Sequence, residues 1–171
     1  MNLLMSDRPL PGVCLTDSED HYVDLSQLNI ANCIGCFGCW VKTPGSCVIR
    51  DDAPSVYPLI ARSRNLIYVS RIRFGSYDTV MKTMLERAIP IQQAFIRLYN
   101  GQTHHVQRAV AAKNAVIIAY GCKSKAEQNV FMQLVRRNAD NMMFLRYRII
   151  FASESELETI VTREVAAWAS S

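Results

Sequence analysis

Four cysteines within fifteen residues, Cys33-Ile-Gly-Cys36-Phe-Gly-Cys39-Trp-Val-Lys-Thr-Pro-Gly-Ser-Cys47, are the part of this 171-residue chain best suited to chemistry. Three thiols at every third position, with Gly35 and Gly38 between them, let a tight turn wrap sulfur around one centre. The Pro44-Gly45 turn can fold Cys47 back as a fourth ligand. That geometry suits a 4Fe-4S cube, because soft thiolate sulfur stabilises both redox states of a cluster. Zinc fits less well, since its usual sites pair two separated Cys-x-x-Cys knuckles. A second reading stays open: small thiols in a glycine-rich turn pack well and need bind nothing. Cys14 lies in an irregular early loop and reads as structural. Cys122 follows the end of an apolar run and reads either as a filler or as a reactive thiol, according to its pKa.

Charge is distributed unevenly around these sulfurs. Of the 19 Lys and Arg residues, 15 fall between positions 61 and 150, against only four of the 15 acidic ones. A basic middle of this kind suits a phosphorylated cofactor or an acidic partner. It contains no basic run interleaved with aromatics, so nucleic acid is not the expected partner. The pair His104-His105 reads as part of a polar connection, because adjacent histidines do not face one ligand on a helix. No P-loop, nucleophile elbow or Gly-x-Gly-x-x-Gly pattern occurs, which argues against hydrolase, kinase and ordinary dinucleotide-domain readings.

The elements that must position these residues form one domain over residues 1–171, half of it hydrophobic and a fifth charged. Leu3 to Met5 and His21 to Leu25 read as strands, separated by a Pro/Gly/Asp-rich stretch with no helical period. Asp51 or Asp52 can cap a helix carrying Val56, Leu59 and Ile60. Asn65 to Ser70 is a strand, and Val80, Met81, Met84, Leu85 and Ala88 follow helical spacing until Pro90. Ala115 to Tyr120 is an unbroken apolar run of the kind buried in parallel sheets. Ser124 with Glu127 reads as a capping box for the next helix. Leu145 to Ala152 is the last strand, and Ser153 with Glu156 caps a closing helix through Trp168. Strand, glycine-containing loop and helix recur three times, which predicts an open parallel α/β sheet with helices on both faces. Ligands in such folds sit beyond the carboxyl ends of the strands, so Ser70 to Ser76 and Tyr120 to Lys123 are the loops to watch. No apolar run approaches the ~20 residues of a membrane span. The chain is expected to be soluble, unexported and cytoplasmic, with its cysteines mostly reduced.

From about Val23 to the last helix the chain resembles the flavodoxin-like iron–sulfur flavoproteins and the related NAD(P)H-dependent FMN reductases. The densest match is Cys33 through Asp52, including Thr43-Pro44-Gly45 and Cys47-Val-Ile-Arg-Asp51-Asp52. Phe74-Gly75-Ser76, Met81-Lys82 and Leu85-Glu86-Arg87 are similar to the family's loop and helix that embrace a flavin ring. The resemblance implies a flavodoxin-like doubly wound sheet in the order 2-1-3-4-5 with FMN at its switch point. It also implies NAD(P)H as substrate, homo-oligomers and a redox partner protein. Flavin contacts would come from Ser70, Arg71, Ile72, Arg73, Phe74, Gly75, Ser76, Tyr120, Gly121 and Cys122, much of them from backbone. Cys33, Cys36, Cys39 and Cys47 would be the cluster ligands.

The chain departs from that family in two places. Its first loop is Met5-Ser6-Asp7-Arg8-Pro9-Leu10-Pro11-Gly12, where the family has a glycine- and serine-rich phosphate cradle leading into a helix. About fifteen residues separate the first two strands, and the prolines leave the first crossover helix missing or reduced. Asp7 would repel a phosphate there, while Ser6 and Arg8 could still supply a hydroxyl and a charge. In the flavin loop, Ser70-Arg71-Ile72-Arg73 replaces an aromatic with guanidinium. An Arg there could stabilise an anionic reduced flavin or reach a nucleotide phosphate. The expected function is an FMN-dependent oxidoreductase passing electrons from a reduced nicotinamide nucleotide. The alternative is a flavodoxin-like scaffold that has lost FMN and serves as a partner-binding subunit, with or without its iron–sulfur cluster.

Overall fold

The computed structural model describes residues 1–15 and 17–170. Five parallel strands make the central sheet: β1 (Asn2–Ser6), β2 (Asp20–Asp24), β3 (Asn65–Arg73), and two later ones introduced below. After β2 a short helix α1 (Gly38–Val41) and the helix α2 (Ala53–Arg62) precede β3. A two-residue strand β4 (Ser76–Tyr77) and the helix α3 (Thr79–Arg87) follow it. The hairpin β5 (Gln92–Tyr99) and β6 (Gln102–Gln107) then leads to β7 (Lys113–Tyr120), α4 (Lys125–Asn141), β8 (Phe144–Ala152) and α5 (Leu157–Ala166). The sheet order β2-β1-β3-β7-β8 is the expected 2-1-3-4-5 once the side pieces β4 to β6 are set apart.

Alternation along the strands divides the core into two. Leu3, Met5, Leu66, Tyr68 and Ile117 face α2, α3 and α4. Leu4, Ile67, Val69 and Ile118 face α5 through Leu157, Val161 and Val165. No helix joins β1 to β2 among the described residues, as the prolines require. Leu10, Val13 and Leu15 instead pack on the α5 side, so the irregular loop contributes apolar surface on a face where crossover helices pack.

Three local expectations are corrected. Ser70 to Ser76 is not a loop: Arg71, Ile72 and Arg73 alternate exposed, buried, exposed, and β3 continues through them to pair antiparallel with β4. The His104-His105 region is the hairpin β5–β6, turned at Asn100-Gly101, where both residues have positive φ. Asn-Gly between apolar runs is the sequence signal for such a type I′ turn. His104 is buried there, its Nδ1 2.8 Å from Asn141 Oδ1. Finally, Ser124 caps α4 through the Glu127 N–H, but the Glu127 carboxylate turns to Lys123 and Gly75.

Lys113 at the start of β7 is buried, and its Nζ donates to the Ala111 carbonyl (2.6 Å). Burial lowers its pKa to about 8 from the ordinary 10.5. Between those two values the unfolded chain holds a proton that the native chain has released, so stability rises with pH across that window. The rise is expected to reach roughly 3 kcal/mol at most. Urea midpoints taken at pH 7.5 and pH 10 should show it in the wild type and lose most of it in Lys113→Met. Among the described residues, no helix is long and apolar enough to cross a membrane.

Candidate functional site

The chain's chemistry gathers in two places, the carboxyl ends of β1, β3 and β7 and the cysteine loop. At the strand ends, Asp7 directly follows β1, and its N–H donates to the Val69 carbonyl (3.1 Å). Its carboxylate takes the nearby donors: the Arg71 N–H (2.7 Å) and Ser70 Oγ (3.0 Å) on Oδ2, and the Tyr120 hydroxyl (2.7 Å) on Oδ1. Burial pushes the Asp7 pKa up, although all three of these bonds pull the other way. Tyr120 is raised as well, by burial first and then by Asp7.

The two other polar residues of this loop have turned to different partners. Ser6 is fully buried and donates to the Arg8 carbonyl (2.7 Å). Arg8 pairs with Glu154 (2.9 Å) and lies 5.8 Å from the centre of the Tyr120 ring. Among the described residues no helix N-terminus stands behind them, and Ser6 and Arg8 are paired within the chain, so the arrangement differs from a phosphate cradle.

Next to Asp7 a cleft of about 250 Å³ is lined by Arg71, Arg73, Phe74, Asp78, Lys123 and Glu127. Its rim is the β3–β4 turn, Phe74-Gly75, with both residues at positive φ. A type I′ turn suits glycine at both places, so Phe74 at φ 54° is strained, and its ring is 90% exposed. Strain of this kind persists at sites where function needs it. Gly75 has no freedom to change: a Cβ there would stand 2.5 Å from Val130 Cγ1 on α4. Glu127 bolts the turn to α4 by accepting from the Lys123 N–H (2.7 Å) and the Gly75 N–H (3.3 Å). Those bonds, Lys123 foremost, hold its carboxyl below the usual range. Arg73 stands 3.8 Å from Asp78, and its guanidinium carbon 5.9 Å from the Phe74 ring centre.

Of the expected contact residues, Arg71, Arg73, Phe74 and Gly121 line this cleft together with Ile72. The Ile72 side chain points into the core, which leaves only its backbone for a ligand. Ser70 Oγ is shared between Asp7 and the Arg71 carbonyl (both 3.0 Å), and Ser76 and Tyr120 lie outside the cleft lining. Cys122 is half-buried, and burial, then Glu127, raises its thiol pKa, which favours the filler reading over a reactive thiol.

The cysteine loop is shaped by left-handed residues Gly35 and Phe37, which lead into α1. Trp40 fixes it to the hairpin, its Nε1 donating to the Gln92 carbonyl (3.0 Å) and its ring 4.8 Å from that of His105. The Gly45 N–H donates to the Cys39 carbonyl (3.0 Å), so the Pro44-Gly45 turn folds back as the sequence predicts. Burial raises the Cys39 pKa, and Cys47, Cys33 and Cys36 each add to the rise. Among the described residues, no group of three or more Cys, His, Asp or Glu side chains is placed to hold a metal ion.

Beneath the loop lies a contact that sequence reasoning missed. Arg87, the last residue of α3, forks onto Asp51 (2.5 and 2.9 Å), the Ala31 carbonyl (2.6 Å) and Cys47 Sγ (3.4 Å). Asp51 also accepts from the Ala31 and Ala53 N–H groups (2.9 and 3.1 Å). Nothing local marks an arginine at a helix end as such a latch. Asp78 in the cleft and Arg87 under the cysteines bracket α3, a rise of about 14 Å at 1.5 Å per residue.

No family model matches the chain. An iron-sulfur flavoprotein of Methanocaldococcus jannaschii is 27% identical over 77 residues, 45% of this chain and 39% of that protein. An iron-sulfur flavoprotein of Archaeoglobus fulgidus is 31% identical over 86 residues, 50% of this chain and 38% of that protein. The matched segment thus spans less than two fifths of either curated relative. Among solved structures, an FMN-dependent NADH-azoreductase from Bacillus anthracis, in complex with FMN, superposes with a TM-score of 0.58 at 10% identity, over 99% of this chain and 97% of that one. By strand order and by whole-chain superposition, this protein has the flavodoxin-like α/β fold.

Proposed function

We propose that this chain is a redox protein of the iron–sulfur flavoprotein kind, with a cluster on Cys33, Cys36, Cys39 and Cys47 and a flavin ring in the cleft beside Phe74. The observation that carries the proposal is the run of four free thiols within fifteen residues, Cys33 and Cys36 exposed and Cys39 and Cys47 half-buried, with a buried guanidinium that touches Cys47. Both curated relatives bear the name iron-sulfur flavoprotein, which supports the same pairing of groups.

Flavin, when bound, supplies the conversion between two-electron and one-electron chemistry, and the cluster supplies one-electron storage. The chain's own residues do the rest. The four cysteines supply the donor set, and Arg87 offsets thiolate charge with an N–H on Cys47. Phe74 offers a flat apolar face at the cleft mouth, and Arg71, Arg73 and Lys123 favour a ligand that gains negative charge on reduction. Glu127 keeps the turn in place against α4. A reduced nicotinamide nucleotide as electron source, a redox partner protein and a cytoplasmic setting belong to this reading. So does self-association, which the exposed Phe95, Ile96 and Leu98 of the hairpin support.

Anaerobic purification and reconstitution with iron and sulfide, followed by an absorption spectrum, iron and sulfide assays and flavin titration, tests the proposal. Iron together with saturable flavin binding is the expected result. A colourless preparation that takes up neither would sink it. A second reading, an iron–sulfur carrier or partner-binding scaffold without flavin, holds if the Asp7 network bars flavin altogether, and a folded chain with no flavin binding, with or without iron, is its signature. Arg73→Ala should weaken flavin binding, and an unchanged dissociation constant would remove that residue from the site.

A further inference from the structure

We propose that Asp7 is a built-in occupant of the anion position at the switch point, so that the cleft takes a flavin without a phosphate monoester, riboflavin rather than FMN. The proposal rests on the flavin reading above and narrows its ligand class.

Three independent features converge on it. First, the donors at the strand ends are already engaged: the Arg71 N–H and the Tyr120 hydroxyl donate to Asp7, and the Ser70 hydroxyl is shared between Asp7 and the Arg71 carbonyl. A bound phosphate would have to displace that carboxylate or lie against it, and two anions sharing one set of donors repel. Second, the positive charge that could offset a phosphate is turned away. Arg8, the cation of this loop, is paired with Glu154 and lies against the Tyr120 ring, leaving Asp7 with neutral donors only. Third, no helix N-terminus stands behind the loop. The described residues between β1 and β2 form no helix and pack through Leu10, Val13 and Leu15, so they offer no helix macrodipole.

The adjoining cleft offers an aromatic face and three cations, alongside the carboxylates Asp78 and Glu127. Phe74 is exposed and held at a strained φ, and guanidinium groups flank it. The chain therefore presents a ring site joined to a position that rejects phosphate. A flavin held by its ring alone exchanges readily, which makes it a diffusible substrate for this protein instead of a resident group.

The experiment titrates wild type, Asp7→Asn and Asp7→Ser with riboflavin and with FMN by calorimetry, with circular dichroism as the check on folding. The asparagine variant keeps the shape without the charge, so a folding failure of the serine variant leaves the test standing. Wild type should bind riboflavin at least as tightly as FMN. Removing the carboxylate should tighten FMN by about tenfold or more, the scale of a charge-assisted hydrogen bond, and change riboflavin by less than about threefold. FMN binding wild type tenfold more tightly than riboflavin would overturn the proposal and leave the flavin reading intact. So would variants whose FMN affinity does not move. Binding of neither flavin by wild type or either variant would instead overturn the flavin reading itself, and this inference with it.

Discussion

Cys36→Ser is expected to reduce reconstituted iron from about four per chain to a small remainder, with the bleaching of broad visible absorption, while the secondary structure stays intact. Cys36 is exposed in a stretch with no helix or strand, so its side chain holds up none of the core. Serine is nearly isosteric but is a poor ligand for iron, so the change isolates donor chemistry from packing. Cys47→Ser should cost iron and some stability, because Cys47 packs against the core and accepts from Arg87. Cys14→Ser is the control and should leave iron unchanged. Iron content unaffected by Cys36→Ser would remove Cys36 from the ligand set and overturn the cluster assignment.

Arg87→Ala should destabilise the fold by about 3–5 kcal/mol, the usual consequence of stripping one partner from a buried pair. The Arg87 and Asp51 side chains are only 1% and 4% exposed, so water cannot replace what is lost. The remaining Asp51 carboxylate would keep two N–H bonds from Ala31 and Ala53 but no counter-charge. Arg87→Lys should recover only part of the loss, since an ammonium cannot bridge both carboxylate oxygens and Cys47 together. Urea unfolding of both variants, alone and combined with Asp51→Asn, measures the coupling. The pair also fixes an acid limit. Burial works to raise the Asp51 pKa, but the Arg87 bonds and the two N–H groups outweigh it and hold the carboxyl below its ordinary 3.8. A depressed native pKa means the contribution is complete above the unfolded value and is lost as pH falls through the native one. Stability should therefore decline below about pH 4 in wild type, and less steeply in Asp51→Asn.

Both predictions concern one loop, yet they differ in how visible they were. The cysteine spacing is a local pattern, and so is the Pro44-Gly45 turn that returns the chain to the Cys39 carbonyl. The latch beneath them joins Ala31, Asp51 and Arg87 across 36 to 56 residues of chain, and no local pattern records a contact at that range. The same contrast recurs at the strand ends. Asp7 was recognisable as hostile to phosphate from its charge alone. That its carboxylate would collect the Arg71 N–H and the Ser70 and Tyr120 hydroxyls depends on three strands being laid side by side. The hairpin at Asn100-Gly101 is a different kind of miss, because its turn signal was present and outweighed by the polarity of its surroundings.

By itself the sequence determined the parallel α/β sheet, the lack of a first crossover helix among the described residues and the candidate ligand set. Each of these follows from short-range facts: runs of apolar residues, the fixed φ of proline, the spacing of thiols along a turn. Only the tertiary structure decided which polar groups are already satisfied. Whether Ser6, Arg8 and Ser70 are free to hold a ligand depends on the Arg8 carbonyl, Glu154 and Asp7 lying within hydrogen-bond distance of them. Hydrogen bonds and charge pairs act over a few ångströms of space, whatever the separation in sequence, so the availability of a donor is a property of the folded chain.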